Sequence, residues 1–491
     1  MYAAMTSDED NEADGVFQQP IKQIQVITMS LITGFDPFKI LKAALAHGGE
    51  YADIYFEDTA NTSIVAEENR IEKIITGRDR GAGIRVIANL KTYYAYTNDL
   101  TEKGLLEIAG IAAKGVRGGK EAGSFGLLKK EKAPGFDIKE LPHKADLKDK
   151  VKLVNRANNT AWAFDKRIRQ VRVMYGDGFR KLALVNSLGD WVEEDRCALL
   201  LVCNAVSAEG DSIQTGYEPI GGIMGLEAFK DTPPEAIAET AARRAIMMLS
   251  ARRAPGGKMP VVLSSDAGGT MIHEAVGHGL EADLAFQNLS VYSGKMGQQV
   301  ASKLVTVIDD ATIPHKRGSF FFDDEGTPGE KTVLVENGIL KSYMCDRLNS
   351  MKSGARSTGN GRRESYHHRP IPRMTNTIIA PGTDSPDAII KSLDNGLFVK
   401  KMGGGQVNTV NGDFVFEVTE GYMIENGKIG EPVRGATLTG NGPDILMKID
   451  MVGSDLGFSI GTCGKDSQGV PVSDAQPTLR IPEITVGGEA K

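Results

Sequence analysis

The chain has 491 residues, 41% of them apolar and 25% charged, with a net charge of −7 at neutral pH. This composition describes an ordinary globular protein of roughly two to four domains, and its acidic balance opposes a large electrostatic footprint for nucleic acid, so no nucleic-acid partner is expected. Apolar runs stop short of the roughly 18 residues a membrane span needs, so no membrane is expected, and the four cysteines make no disulfide framework and fit a reducing cytoplasm.

Residues 1–35 read as an acidic tail and lead-in, partly disordered. Residues 7–14 are acid-rich where a signal peptide would be basic, and Met29 offers an alternative start. An α+β region is expected over residues 36–255. Asp36-Pro37 supplies an N-cap and a first helical position for a helix ending at Gly48-Gly49. Alternating stretches at 51–56, 62–67, 71–75, 83–87 and 92–97 predict an antiparallel sheet, followed by an amphipathic helix over 105–116. Residues 118–141, rich in Gly, Lys and Pro, read as a linker or boundary loop, with the basic run 129–132 on a solvated surface. A second cycle follows: helix 147–164, strands 171–175, 182–187, 191–207 and 212–217, then helix 234–249. The repeated order hints at two similar halves. Cys197 and Cys203, six apart, fall on one face of a strand and read as core packing.

From residue 256 to 491 a β-rich domain is expected. Strand 259–263 leads into Ser264-Ser265-Asp266, which can cap a helix bearing His273-Glu274-Ala275-Val276-Gly277-His278. Neutral imidazole is the commonest ligand for zinc-like metals, and a carboxylate beside a histidine pair can act as general base toward a metal-activated water. Here the histidines are five apart. On a regular α-helix five residues turn about 500°, so the two rings diverge by roughly 140°. A π-bulge would reunite them, and Gly277 makes such a distortion sterically cheap. Beyond this segment Asn337-Gly338 and Asn426-Gly427 predict type I′ hairpins. Residues 396–409, 413–424, 437–438 and 445–452 would complete an antiparallel sheet or barrel.

The acidic run 323–329 reads as a surface turn. Residues 361–370, which include His368 and Arg369, could hold a peptide carboxylate or stabilise an oxyanion, or form a structural loop. Gly403-Gly404-Gly405 allows another backbone to approach, so that an extended peptide could add at Gly404 as a strand, although a bulge would look the same. Cys463, between glycines in what reads as a flexible, exposed loop, has Lys465 nearby to favour its thiolate and is a candidate third ligand. Glu281, Asp283, His367 and His368 remain alternatives.

Together these stretches resemble the TldD/PmbA family, described as metallopeptidases and in an older label as modulators of DNA gyrase. The resemblance rests on the HExxxH pattern at 273–278 with Gly-Leu-Glu-Ala-Asp after it, and on 361–376, 435–452, 461–466 and 476–479. It covers most of the chain from about residue 36, and the chain matches the TldD-like members, which carry HExxxH. Residues 457–460 depart from the acidic pattern expected there. The resemblance implies an α+β N-terminal region, a β-rich metal-binding C-terminal domain and one zinc per catalytic subunit. It implies ligands at His273, His278 and Cys463, with Glu274 as the base. It further implies short or unfolded peptides as substrates, and a homodimer or a heterodimer with a PmbA/TldE-like subunit. The rival expectation is a metal-stabilised peptide-binding or chaperone-like module without turnover.

Overall fold

The computed structural model describes residues 30–118 and 122–489. The acidic stretch of the expected tail, Met29 and positions 119–121 of the expected linker lie outside them. Asp36 caps α1 (Pro37–Ala44): its Oδ1 accepts the Phe38 N–H at 3.0 Å. Leu31 and Ile32, ahead of that cap, are buried in the same core as Ile40 and Leu41.

The N-terminal strands are longer than their side-chain alternation suggests. β1 (Tyr51–Glu67) and β2 (Arg70–Ala88) are unbroken, and β3 (Lys91–Thr97) completes a meander. Expected strands at 51–56 and 62–67 are thus one strand, as are those at 71–75 and 83–87. The intervening polar residues 77–81 lose the alternation but keep the backbone ladder, which does not depend on side chains. Positive φ at Glu68-Asn69 (51° and 59°) and at Asn89-Leu90 (51° and 59°) makes the tight turns of this meander.

A second meander follows: β4 (Ile168–Asn186), β5 (Asp190–Glu209) and β6 (Ser212–Gly222). β1 pairs antiparallel with β4 from Asp53↔Asn186 to Glu67↔Arg172, which joins the two meanders into one seven-stranded sheet. The seventh strand, Leu128–Lys129, lies within the expected linker and pairs with β5, and Lys129, Lys130 and Lys132 form surface ion pairs with Glu193, Asp190 and Asp195. The longer helices that complete this half are α2 (Glu102–Gly115), α3 (Leu147–Ala163) and α4 (Pro234–Ser250). α4 lies so close to β6 that a Cβ on Gly216 would come within 1.9 Å of the Ala241 carbonyl oxygen. Cys197 and Cys203 are both buried, as core residues.

The C-terminal half contains a closed five-stranded barrel. Its strands are β7 (Gly257–Leu263), β8 (Asn395–Val407), β9 (Asp413–Glu425), β10 (Thr437–Asn441) and, after the hairpin of β11 (Gly457–Lys465) and β12 (Gln468–Gln476), β13 (Leu479–Gly487). The ring runs β7-β13-β10-β9-β8 and back to β7 through a parallel pairing at Leu397↔Val261. β11 and β12 belong to a separate six-stranded sheet, where β12 pairs with Asn376–Ile379. Both Asn-Gly turns adopt the expected left-handed pair, 48° and 82° at Asn337-Gly338 and 52° and 72° at Asn426-Gly427.

Two expectations fail. Residues 445–452 are not a strand: a helix, Gly442–Lys448, opens on Pro443 and buries Ile445 and Leu446, and only Met451–Val452 is extended. The run 323–329 is not a surface turn either. Asp323, Asp324 and Glu325 are buried because arginines far away in sequence compensate them: Arg85 Nη1 donates to Glu325 Oε1 at 2.6 Å and Arg196 Nη1 to Asp324 Oδ1 at 2.9 Å. Arg85 also holds Asp53 of β1, so this loop docks the N-terminal sheet on the C-terminal half.

Candidate metal centre

The Ser264 hydroxyl caps, but not the histidine helix. It accepts the Asp266 N–H at 3.2 Å and closes a separate turn, Ser265–Ala267, which ends at Gly268 with φ of 71°. A short α turn, Thr270–Ile272, then passes into a π turn, His273–Gly277, closed by the His278 N–H on the His273 carbonyl, and into a 3₁₀ turn, His278–Leu280. This is the widened turn that the five-residue spacing requires, and it brings the ring centroids of His273 and His278 to 5.1 Å. Met271, Ile272, Ala275, Val276 and Leu280 anchor the segment in one core with Val261, Leu397, Phe416 and Ile481 of the barrel. Gly277 has ordinary helical φ and ψ (−52° and −57°), so backbone freedom is not what it contributes. A Cβ there would sit 2.0 Å from Met374 Sδ: glycine is needed for space.

Each ring has its outer nitrogen occupied. His273 Nδ1 lies 2.7 Å from Asp474 Oδ1, and His278 Nδ1 lies 3.0 Å from Glu281 Oε2. Such carboxylates fix the tautomer, leave Nε2 as the free donor and raise its basicity. Cys463 completes the group: one ligand atom from each of His273, His278 and Cys463 lies within 4.8 Å of the others. His278 Nε2 and Cys463 Sγ are 3.5 Å apart. Tetrahedral zinc with ligand distances of about 2.05 Å to nitrogen and about 2.3 Å to sulfur separates those atoms by roughly 3.5 Å, so the donor set fits that ion.

Cys463 is not in an exposed loop. It is 3% exposed, within β11, and its partner strand β12 carries Asp474. Nor does Lys465 activate it, because Lys465 Nζ is drawn to Glu281 Oε2 at 3.1 Å and Asp283 Oδ1 at 2.7 Å. Burial would raise the thiol, but the two histidines outweigh it and bring Cys463 down to about 5. Burial likewise opposes charge on His278, yet Glu281 and Cys463 lift it to about 10. The free group therefore favours thiolate and imidazolium. Arg373, fully buried, donates from Nη1 to the Gln468 carbonyl at 3.2 Å and from Nη2 to the Cys463 carbonyl, and so pins the hairpin.

Glu274 is half-buried, and burial raises its pKa against the opposing pull of His273 and His278. With His273 and Cys463 it lines two cavities, one of about 480 Å³ and one of about 750 Å³. Gly403, Gly404 and Gly405 line the larger cavity, and nothing lies within 4 Å of where a Gly404 Cβ would stand. Phe458, Ser459 and Ile460, in the stretch that departs from the expected acidic pattern, line it too. Arg369 reaches only the rim, through an exposed pair at 3.7 Å with Asp466, which lines the smaller cavity. His368 lines neither cavity: its Nδ1 is 3.3 Å from Ser365 Oγ. Most of loop 361–370 is structural, with Arg362, Arg363 and Tyr366 buried. Glu281 and Asp283 are engaged with His278 and Lys465, and His367 packs on Tyr366 and Tyr96, so none of these alternatives stands in the cluster. Sequence reasoning missed Asp474 altogether.

Profiles for the PmbA/TldA metallopeptidase match domain 1 at residues 52–115, the central domain at 140–249 and the C-terminal domain at 256–488. The chain belongs to the PmbA/TldD metallopeptidase family. Among its curated relatives is a metalloprotease TldD homologue of Haemophilus influenzae, 39% identical over 89% of this chain and 93% of the relative. Another, of Saccharolobus solfataricus, is named a zinc metalloprotease TldD homologue and is 29% identical over 92% of this chain and 99% of the relative. The fold is shared with TldE of Thermococcus kodakarensis, with a TM-score of 0.73, 19% identity and 92% of this chain against all of that one covered. As a member of this metallopeptidase family the chain is a hydrolase acting on peptide bonds. Among the described residues no helix is long and apolar enough to cross a membrane.

Proposed function

We propose that one zinc ion per chain is held by His273 Nε2, His278 Nε2 and Cys463 Sγ, and that Glu274 serves as general base in hydrolysing short or unfolded peptides. One observation carries this reading: both imidazoles turn their outer nitrogens to buried carboxylates, while a thiol stands 3.5 Å from the inner nitrogen of one of them. Zinc in this set supplies Lewis acidity toward the scissile carbonyl and the attacking water. Glu274 takes the proton of that water and returns it to the leaving amine, and its raised pKa suits both transfers. Asp474 and Glu281 hold the two rings in register while this happens. The extended substrate lies along Gly404, where the strand edge admits another backbone, and Arg369 with Asp466 stands at the rim of the second cavity.

Three protein ligands beside two cavities favour catalysis over a closed structural site, which would use four. Four free cysteines suit a reducing compartment such as the cytoplasm. The working assembly is a homodimer or a pair with a PmbA/TldE-like subunit, a reading carried by the family resemblance and testable by sedimentation. The deciding experiment for the chemistry is Glu274→Gln, assayed for zinc content and for cleavage of an unfolded protein. Zinc is expected to stay and the rate to fall by about 10²–10⁴. Near-parental cleavage would remove Glu274 from the reaction. A parent protein that loads zinc, binds peptides and cleaves none would favour the metal-stabilised peptide-binding module instead.

A further inference from the structure

A third cavity, of about 130 Å³, lies between the N-terminal sheet and the hairpin that carries Cys463. Five arginines and one carboxylate line it: Arg180 and Arg196 from the sheet, and Arg317, Arg362, Arg363 and Asp324 from the C-terminal half. Carboxylates answer some of this charge. Arg196 pairs with Glu194 at 3.2 Å and with Asp324 at 2.9 Å, and Arg180 pairs with Glu57 at 3.4 Å. Arg363 approaches a carboxylate only at 3.8 Å, in Asp53, which already holds Arg85, and its Nη1 and Nη2 donate to Tyr94 Oη at 3.2 Å and to the Asp324 carbonyl at 2.8 Å. Among the described residues Arg317 and Arg362 have no carboxylate in salt-bridge range. Arg362, 4% exposed, donates to the carbonyls of Met374 and Pro471 and lies over the Phe320 ring, 5.5 Å from its centroid. Arg317 donates from Nε to the Gly461 carbonyl at 3.1 Å.

Cationic charge withdrawn from water without an anionic partner is costly, and Arg362 is buried and Arg317 half-buried. The remaining donors point the same way. Arg196 Nε and Arg363 Nε are buried with no acceptor among the described residues, and Arg363 is 1% exposed. Burial lowers Arg317, and it lowers Arg362 to about 10 against the pull of Asp324 and Asp309. Against the same burial, nearby acids hold Arg180 and Arg196 raised, and Tyr94 with Asp53 does the same for Arg363, so the uncompensated charge is that of Arg317 and Arg362. The volume is below the roughly 300 Å³ at which sites for drug-sized ligands begin, and at roughly 30 Å³ per water it holds an ion and little more.

We propose that this cavity binds a small tetrahedral oxyanion of the phosphate or sulfate class. Forked guanidinium donors from both halves suit such an ion, which offers acceptors in several directions. The bound ion would tie β4 and β5 to the segments holding Arg317 and Arg362. Because Arg317 grips the Gly461 carbonyl two residues before Cys463, the ion also steadies the strand that carries the thiol.

The test is thermal unfolding of the full chain at fixed pH and ionic strength, in chloride, acetate, sulfate or phosphate. Phosphate or sulfate is expected to raise Tm saturably, by roughly 2–5 °C at a hundredfold excess over Kd, with chloride and acetate inert. Ala198→Asp, on the sheet wall of the cavity, would add a second carboxylate, beside Asp324, among the arginines. It should raise Tm in chloride and abolish the phosphate response. Arg317→Gln should weaken phosphate binding at least tenfold by calorimetry. A phosphate response no larger than that of chloride would overturn the proposal. So would an Ala198→Asp protein that folds and still responds like the parent, because the ion would then bind elsewhere. Saturable stabilisation by acetate alone would make this a carboxylate site and equally refute it.

Discussion

His273 Nδ1 and Asp474 Oδ1 meet at 2.7 Å across 201 residues of chain, and this pairing ties the π turn to the hairpin that carries Cys463. The ring is buried, and Asp474 is the carboxylate that holds its Nδ1. Asp474→Ala should leave a buried N–H unpaired and lower zinc affinity by about 10–100-fold, and Asp474→Asn, which keeps an acceptor, should lose less. Competition against a chromophoric chelator measures both. Equal affinity in all three proteins would show that the carboxylate does not orient the ligand.

Cys463→Ala removes the sulfur donor and should lower zinc content and activity together. Cys345→Ala, which alters a buried thiol of the same core, should change neither. X-ray absorption of the parent should show one sulfur at roughly 2.3 Å from the metal, lost in the variant. Because the proposed ligation would link β11 to the histidine segment, chelation should also increase proteolysis of the C-terminal hairpin. A fully loaded, active Cys463→Ala protein would take the cysteine out of the site.

Gly277 tests the π turn through packing. An alanine Cβ would come within 2.0 Å of Met374 Sδ and 3.1 Å of its Cε, in a side chain that is wholly buried. Overpacking of this kind costs about 1–3 kcal/mol. Relief by shifting the turn would move His278 from Cys463, so Gly277→Ala should lower Tm and zinc affinity in step. Lower Tm with unaltered affinity would mean that Met374 yields instead.

Much of this centre was legible. A spacing of five makes no sense on a regular helix and good sense on a π turn, so the histidine pair announced its own distortion. Glycines around Cys463 drew attention to the thiol that stands beside the two histidines, but for a wrong reason, since it sits in a strand and not in an exposed loop. Asp474 carried no mark: one acid in a strand is ordinary until its neighbour across space is known. The buried acids 323–325 were misread because turn composition reports local conformation, while their burial depends on Arg85 and Arg196, 240 and 128 residues away. Strand lengths failed similarly, because pairing partners sustain a ladder through residues whose own pattern says turn.

Asp346 belongs to that same buried acidic group and offers a test by pH. It caps the helix Arg347–Ser353, where its Oδ1 accepts from Asn349 N at 2.8 Å and from Asn349 Nδ2 at 2.7 Å. Burial foremost, and then the Glu325 carboxylate, push its carboxyl up to about 7. In the unfolded chain an aspartate titrates near ~3.9. Between those values the folded protein keeps a proton that the unfolded chain has released. The group therefore contributes stability below about pH 4 that is lost progressively as pH rises to about 7, and stays lost above it. Asp346→Asn keeps a good capping residue and removes the ionisation. The variant should match the parent near pH 4, gain on it as pH rises, and settle about 1–3 kcal/mol more stable above pH 7. Denaturant unfolding of both proteins at four pH values from 4 to 8.5 measures that difference. A difference independent of pH would show that Asp346 is ionised throughout and that the acids around Glu325 are fully compensated by Arg85 and the Arg347 N–H.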